Sequence, residues 1–394
     1  MAFVAEIIYN RPLKKGSGYN GRRASVGERH IFLQNRKALR YDVDGADPLI
    51  AYLAVFAASL GLSLLLTPLS IRWARQWGIV ARPGGRRRHQ GIVPKLGGLA
   101  VLGGFVGGGL VSWIVRRWLP ALPEGPDPKE TMRFAAVIGG TCVIALFGLL
   151  DDRFELGARP QYIAQAIVSV IAIAGLVFIE RVMNPFTNQV FVFPVLLVWG
   201  LTLLWLMGMM NTVNFMDGLD GLVAGVVGIF ATVLLIHMLR VGQYGPALLP
   251  TALLGTVLGF LPFNFYPARI FLGSGAITLG YIVGTLSLVG GARVATVLLV
   301  MALPIVDVAW QILNRWRHGR SMNQGDRGHL HYRLYDLGMS QRQVVFLYWG
   351  MCTLFGALAL LVSSRLYKLI AIAILGILAV VVLAMLSRRK DLQE

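Results

Sequence analysis

Eleven apolar runs, each near the ~20 residues with which a helix crosses a bilayer, dominate this 394-residue sequence. They fall at 49–71, 96–115, 133–150, 161–179, 190–210, 222–239, 247–264, 275–290, 294–313, 343–362 and 369–387. A bilayer interior offers no partner to free backbone N–H and C=O groups, so a spanning segment must satisfy them itself. Runs of this length do so as helices. The expected fold is all-α, a polytopic membrane protein of about 11 transmembrane helices with its active-site loops on the cytoplasmic side. The composition, 56% hydrophobic and 14% charged, excludes a soluble globule. Glycine clusters such as Gly103–Gly109 predict close helix packing. Cys142 and Cys352 both lie inside apolar runs and imply no disulfide framework.

Three regions follow. Residues 1–48 carry nine Lys/Arg and no long apolar run, and are expected to be a disordered basic extension without a signal-peptide core. Residues 49–387 form the transmembrane domain, and 388–394 a cytoplasmic tail. Alternate loops differ in charge. Those at 72–95, 151–160, 211–221, 265–274 and 314–342, with the tail, hold nineteen Lys/Arg, against eight in the opposite set. The richer side is expected to be cytoplasmic, with the N-terminus outside and the C-terminus inside a plasma (inner) membrane. The basic extension runs against this rule locally, but the internal loops agree with one another. The net charge of +18 sits mostly beside apolar spans, so anionic lipid and anionic substrate are the expected partners, and nucleic acid is not.

The chemically suggestive residues all fall on the basic side. Asn211–Leu222, NTVNFMDGLDGL, stands between two apolar runs. Carboxylates at the mouth of a span are costly without a function. On a continuing helical turn Asn214, Asp217 and Asp220 share a face, and such oxygen donors suit Mg²⁺, with Mn²⁺ as an alternative. Asn211 belongs to the same polar stretch. Asp151 and Asp152 end another span and can gather a divalent ion or share a proton. The loop RPGGRRRHQGIVPKLGG offers Arg87, His89 and Lys95 as a phosphate grip. FNFYPARIFLGSG adds Asn264 and Arg269. In GHLHYRL, His329 and His331 alternate, so an extended backbone points them the same way. Asp307, inside the ninth run, is an intramembrane carboxylate and a functional candidate on that ground alone.

In this order, NTVNFMDGLDGL, GLLDDRFEL, PARIFLG and GHLHYRL resemble the polyprenyl-phosphate N-acetylhexosamine-1-phosphate transferases over residues 49 to about 387. The branch that uses UDP-GlcNAc fits better than the muramoyl-pentapeptide branch, whose histidine loop differs. The resemblance implies a membrane enzyme that moves N-acetylhexosamine-1-phosphate from a UDP-sugar to undecaprenyl or another polyprenyl phosphate, releasing UMP and initiating cell-envelope glycan synthesis. It implies Mg²⁺ held by Asp151, Asp152, Asn214 and Asp217. Asp151, Asp152, His329 and His331 are the expected catalytic groups. Arg87, His89, Lys95, Asn211, Asn214, Asp217, Asp220, Asn264 and Arg269 are the expected substrate contacts. A homodimer is left open.

The sequence departs from the family pattern at four places. The aspartate expected after Gly273 is missing, and Ser274 follows directly. A lysine expected nine residues after Asp152 is Gln161, an aspartate expected before Arg82 is Ala81, and the third histidine of the loop is Tyr332. The missing carboxylate implies a weakly held Mg²⁺ that saturates only at high metal. Two other readings stay open on sequence grounds: a paralogue that binds lipid phosphate or nucleotide without turnover, and a secondary transporter. The clustering of polar groups at one face rather than mid-membrane, with no visible internal repeat, argues against the transporter.

Overall fold

The computed structural model describes residues 48–82, 91–118, 129–184, 186–187, 189–289, 294–317, 328–362 and 364–391. Nearly all of the basic extension, Arg87, His89 and the last three residues of the tail lie outside the described residues.

The chain forms thirteen described helices: α1 (Pro48–Gln76), α2 (Gly97–Trp118), α3 (Glu130–Phe154), α4 (Ala158–Ala174), α5 (Val195–Met216), α6 (Leu222–Arg240), α7 (Leu248–Asn264), α8 (Gly275–Leu286), α9 (Val294–Val300), α10 (Ala302–Arg317), α11 (Leu330–Asp336), α12 (Gln341–Leu361) and α13 (Arg365–Asp391). Two small antiparallel pairs join them, β1 (Val80–Ala81) with β2 (Val93–Pro94), and β3 (Arg181–Met183) with β4 (Val190–Val192). The fold is that of an all-α polytopic membrane protein.

Each predicted span coincides with a helix or a helix pair, yet they are not eleven equal crossings. Among the described residues, α1, α2, α3, α5, α6 and α12 are long and apolar enough to cross a membrane. The run at 294–313 is not one helix. It breaks into α9 and α10, bent by 81°, and gives a seventh crossing only if the two are counted together. Pro304 sits in the first turn of α10, where its missing N–H has no intrahelical partner to lose. The run at 190–210 opens as strand β4 and turns helical only at Val195. At 275–290 the helix stops at Leu286, which makes α8 about 18 Å long. That is well short of the ~30 Å hydrocarbon core. All twelve residues of α8 are buried, so it is a core element enclosed by other helices. Its apolarity reflects protein packing, which hydropathy alone does not separate from lipid contact.

Small residues set the helix spacing. The buried stripe of α1 steps mostly by four through Ala51, Val55, Ser59, Ser63 and Thr67. It faces glycines of α2 and α7. A Cβ on Gly104 would meet Thr256 and Ser63, and one on Gly108 would meet Ser59 and Ala252. A Cβ on Gly255 or Gly259 would stand 2.6 Å from the carbonyl oxygen of Phe56 or Leu60, respectively. These backbones touch because no side chain intervenes, the packing expected where lipid tails are as apolar as leucine. The same device seats α8: Gly280 lies against Met210 of α5, and Gly140 of α3 against Tyr281.

The loops at one end of the bundle interlock. Lys95 N donates to Ile79 O (3.1 Å), Phe271 N to Pro94 O (2.8 Å) and Gly97 N to Phe271 O (2.9 Å). Ala268 N donates to Asp220 Oδ2 (3.0 Å), and Arg342 Nη2 to Tyr266 O (3.3 Å). Ser274 N donates to Asp152 Oδ1 (3.0 Å), so the described parts of the five basic-side loops share one end. At the other end Arg116 makes a two-pronged pair with Glu130, 2.8 Å at each prong.

Substituting Gly259→Leu places side-chain atoms against the α1 backbone and is expected to destabilise the protein by about 1–3 kcal/mol. Gly61→Leu, where nothing lies within 4 Å of the new Cβ, serves as the control. Thermal unfolding of the purified variants in detergent compares the two, and equal melting temperatures would refute the packing argument.

Candidate active site

Asp151 and Asp152 lie in the last turn of α3, against the segment that leads into α8. Gly148, one turn earlier, lets the helix approach: a Cβ there would stand 3.0 Å from Ser274 Cβ. Ser274 N donates to both carboxylate oxygens of Asp152, at 3.0 and 3.1 Å. Ser274 Oγ lies 3.1 Å from Asp151 Oδ2 and 3.1 Å from Asp152 Oδ1. Asp151 Oδ1 also accepts from Leu156 N at 3.1 Å. The start of α8 thus faces the acidic pair, and the helix dipole favours negative charge there. Gly273 has φ +60°, and a Cβ on it would stand 2.6 Å from Asp152 Oδ2 and 2.3 Å from Lys95 O. Glycine answers both the left-handed backbone and the lack of room.

Beside this clasp is a cavity of about 340 Å³, lined by Ala81, Lys95, Asp151, Asp152, Gln161, Asn214, Phe215, Asp217, Gly273, Ser274 and Tyr332. It brings together five of the residues singled out from sequence: Lys95, Asp151, Asp152, Asn214 and Asp217. It also brings together the four departures from the family pattern, since Ala81, Gln161, Ser274 and Tyr332 all face the same space. Among the described residues three carboxylates and one ammonium line it. Lys95 Nζ is 3.4 Å from Glu155 Oε1, a partner that is largely exposed.

Other expected site residues lie outside this lining. The shared face of Asn214, Asp217 and Asp220 requires the helix to continue, but α5 ends at Met216 and Asp217 leaves it at φ −73°, ψ 57°. Asp220 therefore turns to the Ala268 amide rather than to the cavity. Asn264 is buried and joins two loops, accepting from Gly221 N (3.2 Å) and donating to Ile270 O (2.9 Å). Asn211 pairs with Gln165 and donates to Met207 O, inside the bundle. Arg269 is exposed, and its backbone N–H donates to Phe263 O.

The two histidines are buried behind the cavity wall. His329 Nδ1 lies 3.0 Å from Asp307 Oδ2, and Leu330 N donates to Asp307 Oδ1 at 2.9 Å. One carboxylate thus holds both the ring and the first amide of α11. Gln311, one turn further along α10, donates to Gly328 O, which also accepts from Arg333 Nε at 2.6 Å. The His329 ring stacks on Phe215, with centroids 5.6 Å apart, and His331 stacks on His329 at 5.6 Å and 10°. The pair does not lie on one extended strand, because His331 is already in the first turn of α11. Phe215 and Tyr332 are the two aromatic cavity walls. Sequence reasoning noted Tyr332 only as a departure from the family pattern and passed over Phe215, which could have been found inside NFMD between two polar residues. A Cβ on Gly218 would lie 2.3 Å from His331 Nε2 and 2.7 Å from the Tyr332 hydroxyl, so the turn after α5 packs directly on this helix.

Comparison with known proteins bears on this arrangement. Residues 134–291 match the model of glycosyl transferase family 4. The chain is 30% identical over 323 residues to a probable undecaprenyl-phosphate N-acetylglucosaminyl 1-phosphate transferase of Bacillus subtilis, covering 80% of this chain and 86% of that one. It is 33% identical over 356 residues to a decaprenyl-phosphate N-acetylglucosaminephosphotransferase of Mycobacterium tuberculosis, covering 81% and 85%. It is 31% identical over 333 residues to a phospho-N-acetylmuramoyl-pentapeptide-transferase of Symbiobacterium thermophilum, covering 79% and 94%. The matched stretch of the family model runs through α3, α5 and α8, the helices that carry the acidic pair, Asn214 and the Ser274 clasp. With identities of this size over most of both chains, the protein belongs to the polyprenyl-phosphate N-acetylhexosamine-1-phosphate transferase family.

Proposed function

We propose that this protein transfers N-acetylglucosamine-1-phosphate from UDP-N-acetylglucosamine to a polyprenyl phosphate at the cytoplasmic face of a plasma membrane. A phosphate oxygen of the lipid attacks the sugar-bound phosphorus. The bond from that phosphorus to the bridging oxygen breaks, and UMP leaves with that oxygen. The products are polyprenyl-diphosphate-N-acetylglucosamine and UMP. The donor sugar follows the names of the N-acetylglucosaminyl relatives.

The observation that carries this reading is the charge of the cavity. Among the described residues, three carboxylates stand against one ammonium, a balance that repels a diphosphate unless a cation stands between them. Among the described residues no three His, Cys, Asp or Glu side chains close around one point, so a cage built from protein alone is not present. Mg²⁺ does not need one, because it takes one or two carboxylates and completes its shell with substrate phosphate and water. Asp151 and Asp152, with Asn214 and Asp217 in the same cavity, fit that demand, and Mn²⁺ fits the same donors. When bound, the ion offsets the negative charge of the diphosphate and of the leaving UMP. Lys95 adds a second positive charge to the phosphate side. Phe215 and Tyr332 give the opposite wall flat surfaces against which a nucleobase or sugar ring can lie. The His329 ring, fixed at Nδ1 by Asp307, holds Phe215 in place.

Purified protein in detergent, given UDP-N-acetylglucosamine, undecaprenyl phosphate and Mg²⁺, is expected to release UMP, and a chelator is expected to stop it. Turnover that survives complete chelation would sink the cation reading. Asp152→Asn keeps the shape of the carboxylate but not its charge. It should cut UMP release by at least about a hundredfold while the melting temperature stays near that of the unmodified protein. Unchanged turnover would remove Asp152 from the mechanism. For orientation, single cysteines replace Arg159, Arg342 and Phe186 in a background lacking Cys142 and Cys352. An impermeant thiol reagent applied to intact cells should label only the cysteine at position 186. Labelling at 159 or 342 would reverse the topology.

A further inference from the structure

Ser274 stands at the N-cap of α8, where a serine normally turns its hydroxyl back to accept an N–H of the first helical turn. This one does not. Its φ and ψ are −65° and −6°, and its side chain makes no capping bond. Its hydroxyl instead points out of the helix to the acidic pair, 3.1 Å from one oxygen of each carboxylate. The hydroxyl carries a single proton for two acceptors, so it cannot serve both carboxyls fully, and the second contact calls for a further proton or a cation.

A bound cation resolves this. Ligands at right angles and ~2.1 Å from one centre lie about 3.0 Å apart, the edge of an octahedron around Mg²⁺. The two Ser274 distances match such edges without any movement of the backbone. Gly273 keeps the approach open, since a Cβ at that position would fill the space beside Asp152. Ser274 N, donating to both oxygens of Asp152, fixes the orientation of the carboxylate.

We propose that the Ser274 hydroxyl oxygen is a neutral ligand of the divalent cation, completing with Asp151 and Asp152 one face of its coordination shell. The hydroxyl keeps its proton and turns it outward to solvent or substrate phosphate when the ion enters. On this side the cation then meets two carboxylates and one hydroxyl, one negative charge fewer than if a carboxylate stood at position 274. This rests on the cation reading of the proposed function and adds a residue to it.

The test measures metal binding directly, on full-length protein in detergent, with and without UMP. Electron paramagnetic resonance reports free Mn²⁺, and Cd²⁺ is added as a competitor. Ser274→Ala should weaken Mn²⁺ binding about tenfold or more. Ser274→Cys replaces a hard oxygen with a soft sulfur and should raise the preference for Cd²⁺ over Mn²⁺ about tenfold or more. A serine that served only as a hydrogen-bond donor would give no such exchange of preference. The proposal is overturned if the alanine variant binds Mn²⁺ within about twofold of the unmodified protein at an unchanged melting temperature. It is equally overturned if the cysteine variant keeps the original metal preference. Should the unmodified protein bind no Mn²⁺ in either condition, the cation reading of the function falls together with it. If the unmodified protein binds Mn²⁺ and both variants match it, only the role of Ser274 falls.

Discussion

The backbone's need for partners inside a bilayer governs the rest of this structure. Among the described residues, six helices long enough to cross satisfy that need internally. Two departures from regular helix stand where protein covers them. The break between α9 and α10 occurs beside buried Val300, Met301 and Ala302. The short α8 is enclosed on every side, and the non-helical segment before it is paired with Pro94, Gly97 and Gly98. Irregular backbone of this kind can bring a polar group to a point that a straight helix cannot reach, and in this protein it delivers Ser274 to the acidic pair.

Close approach is the second requirement, and small residues meet it. Glycines on α2 and α7 against serines on α1 draw three helices into direct backbone contact. Gly148 and Gly273 do the same on either side of the carboxylates. The site consequently stands on elements whose relative positions are fixed by contact between main chains. Long side chains, which can change rotamer, have little part in setting its dimensions.

A buried polar assembly on the other side of the cavity has a different logic. Asp307 and Gln311 project one turn apart from α10 and hold the start of the histidine helix, while His329 and His331 stack behind Phe215. The bend of 81° sets α10 at the angle from which this grip is made. The histidines therefore act on the cavity through its aromatic wall. A buried carboxylate that binds both a ring nitrogen and a backbone amide leaves the histidine helix little freedom to shift.

The sequence by itself determined that the chain is apolar enough to cross a membrane on helices, and its motifs singled out Asp151, Asp152, Asn214, Asp217 and Lys95, which the structure brings to one cavity. Hydropathy reports transfer from water to an apolar medium, and the acidic groups stand out because that medium penalises them. The tertiary structure decided what lies beside them. Hydropathy could not separate α8, buried in protein, from a helix in lipid, since both surroundings are apolar. Helical spacing grouped Asp220 with Asp217 because it assumed that α5 continues, and the turn at Asp217 sends the two apart. Ser274 read from sequence as the residue left after a missing aspartate. Its hydroxyl meets two carboxylates more than a hundred positions away, and a contact of that separation is fixed by helix packing, for which no local pattern exists in the chain.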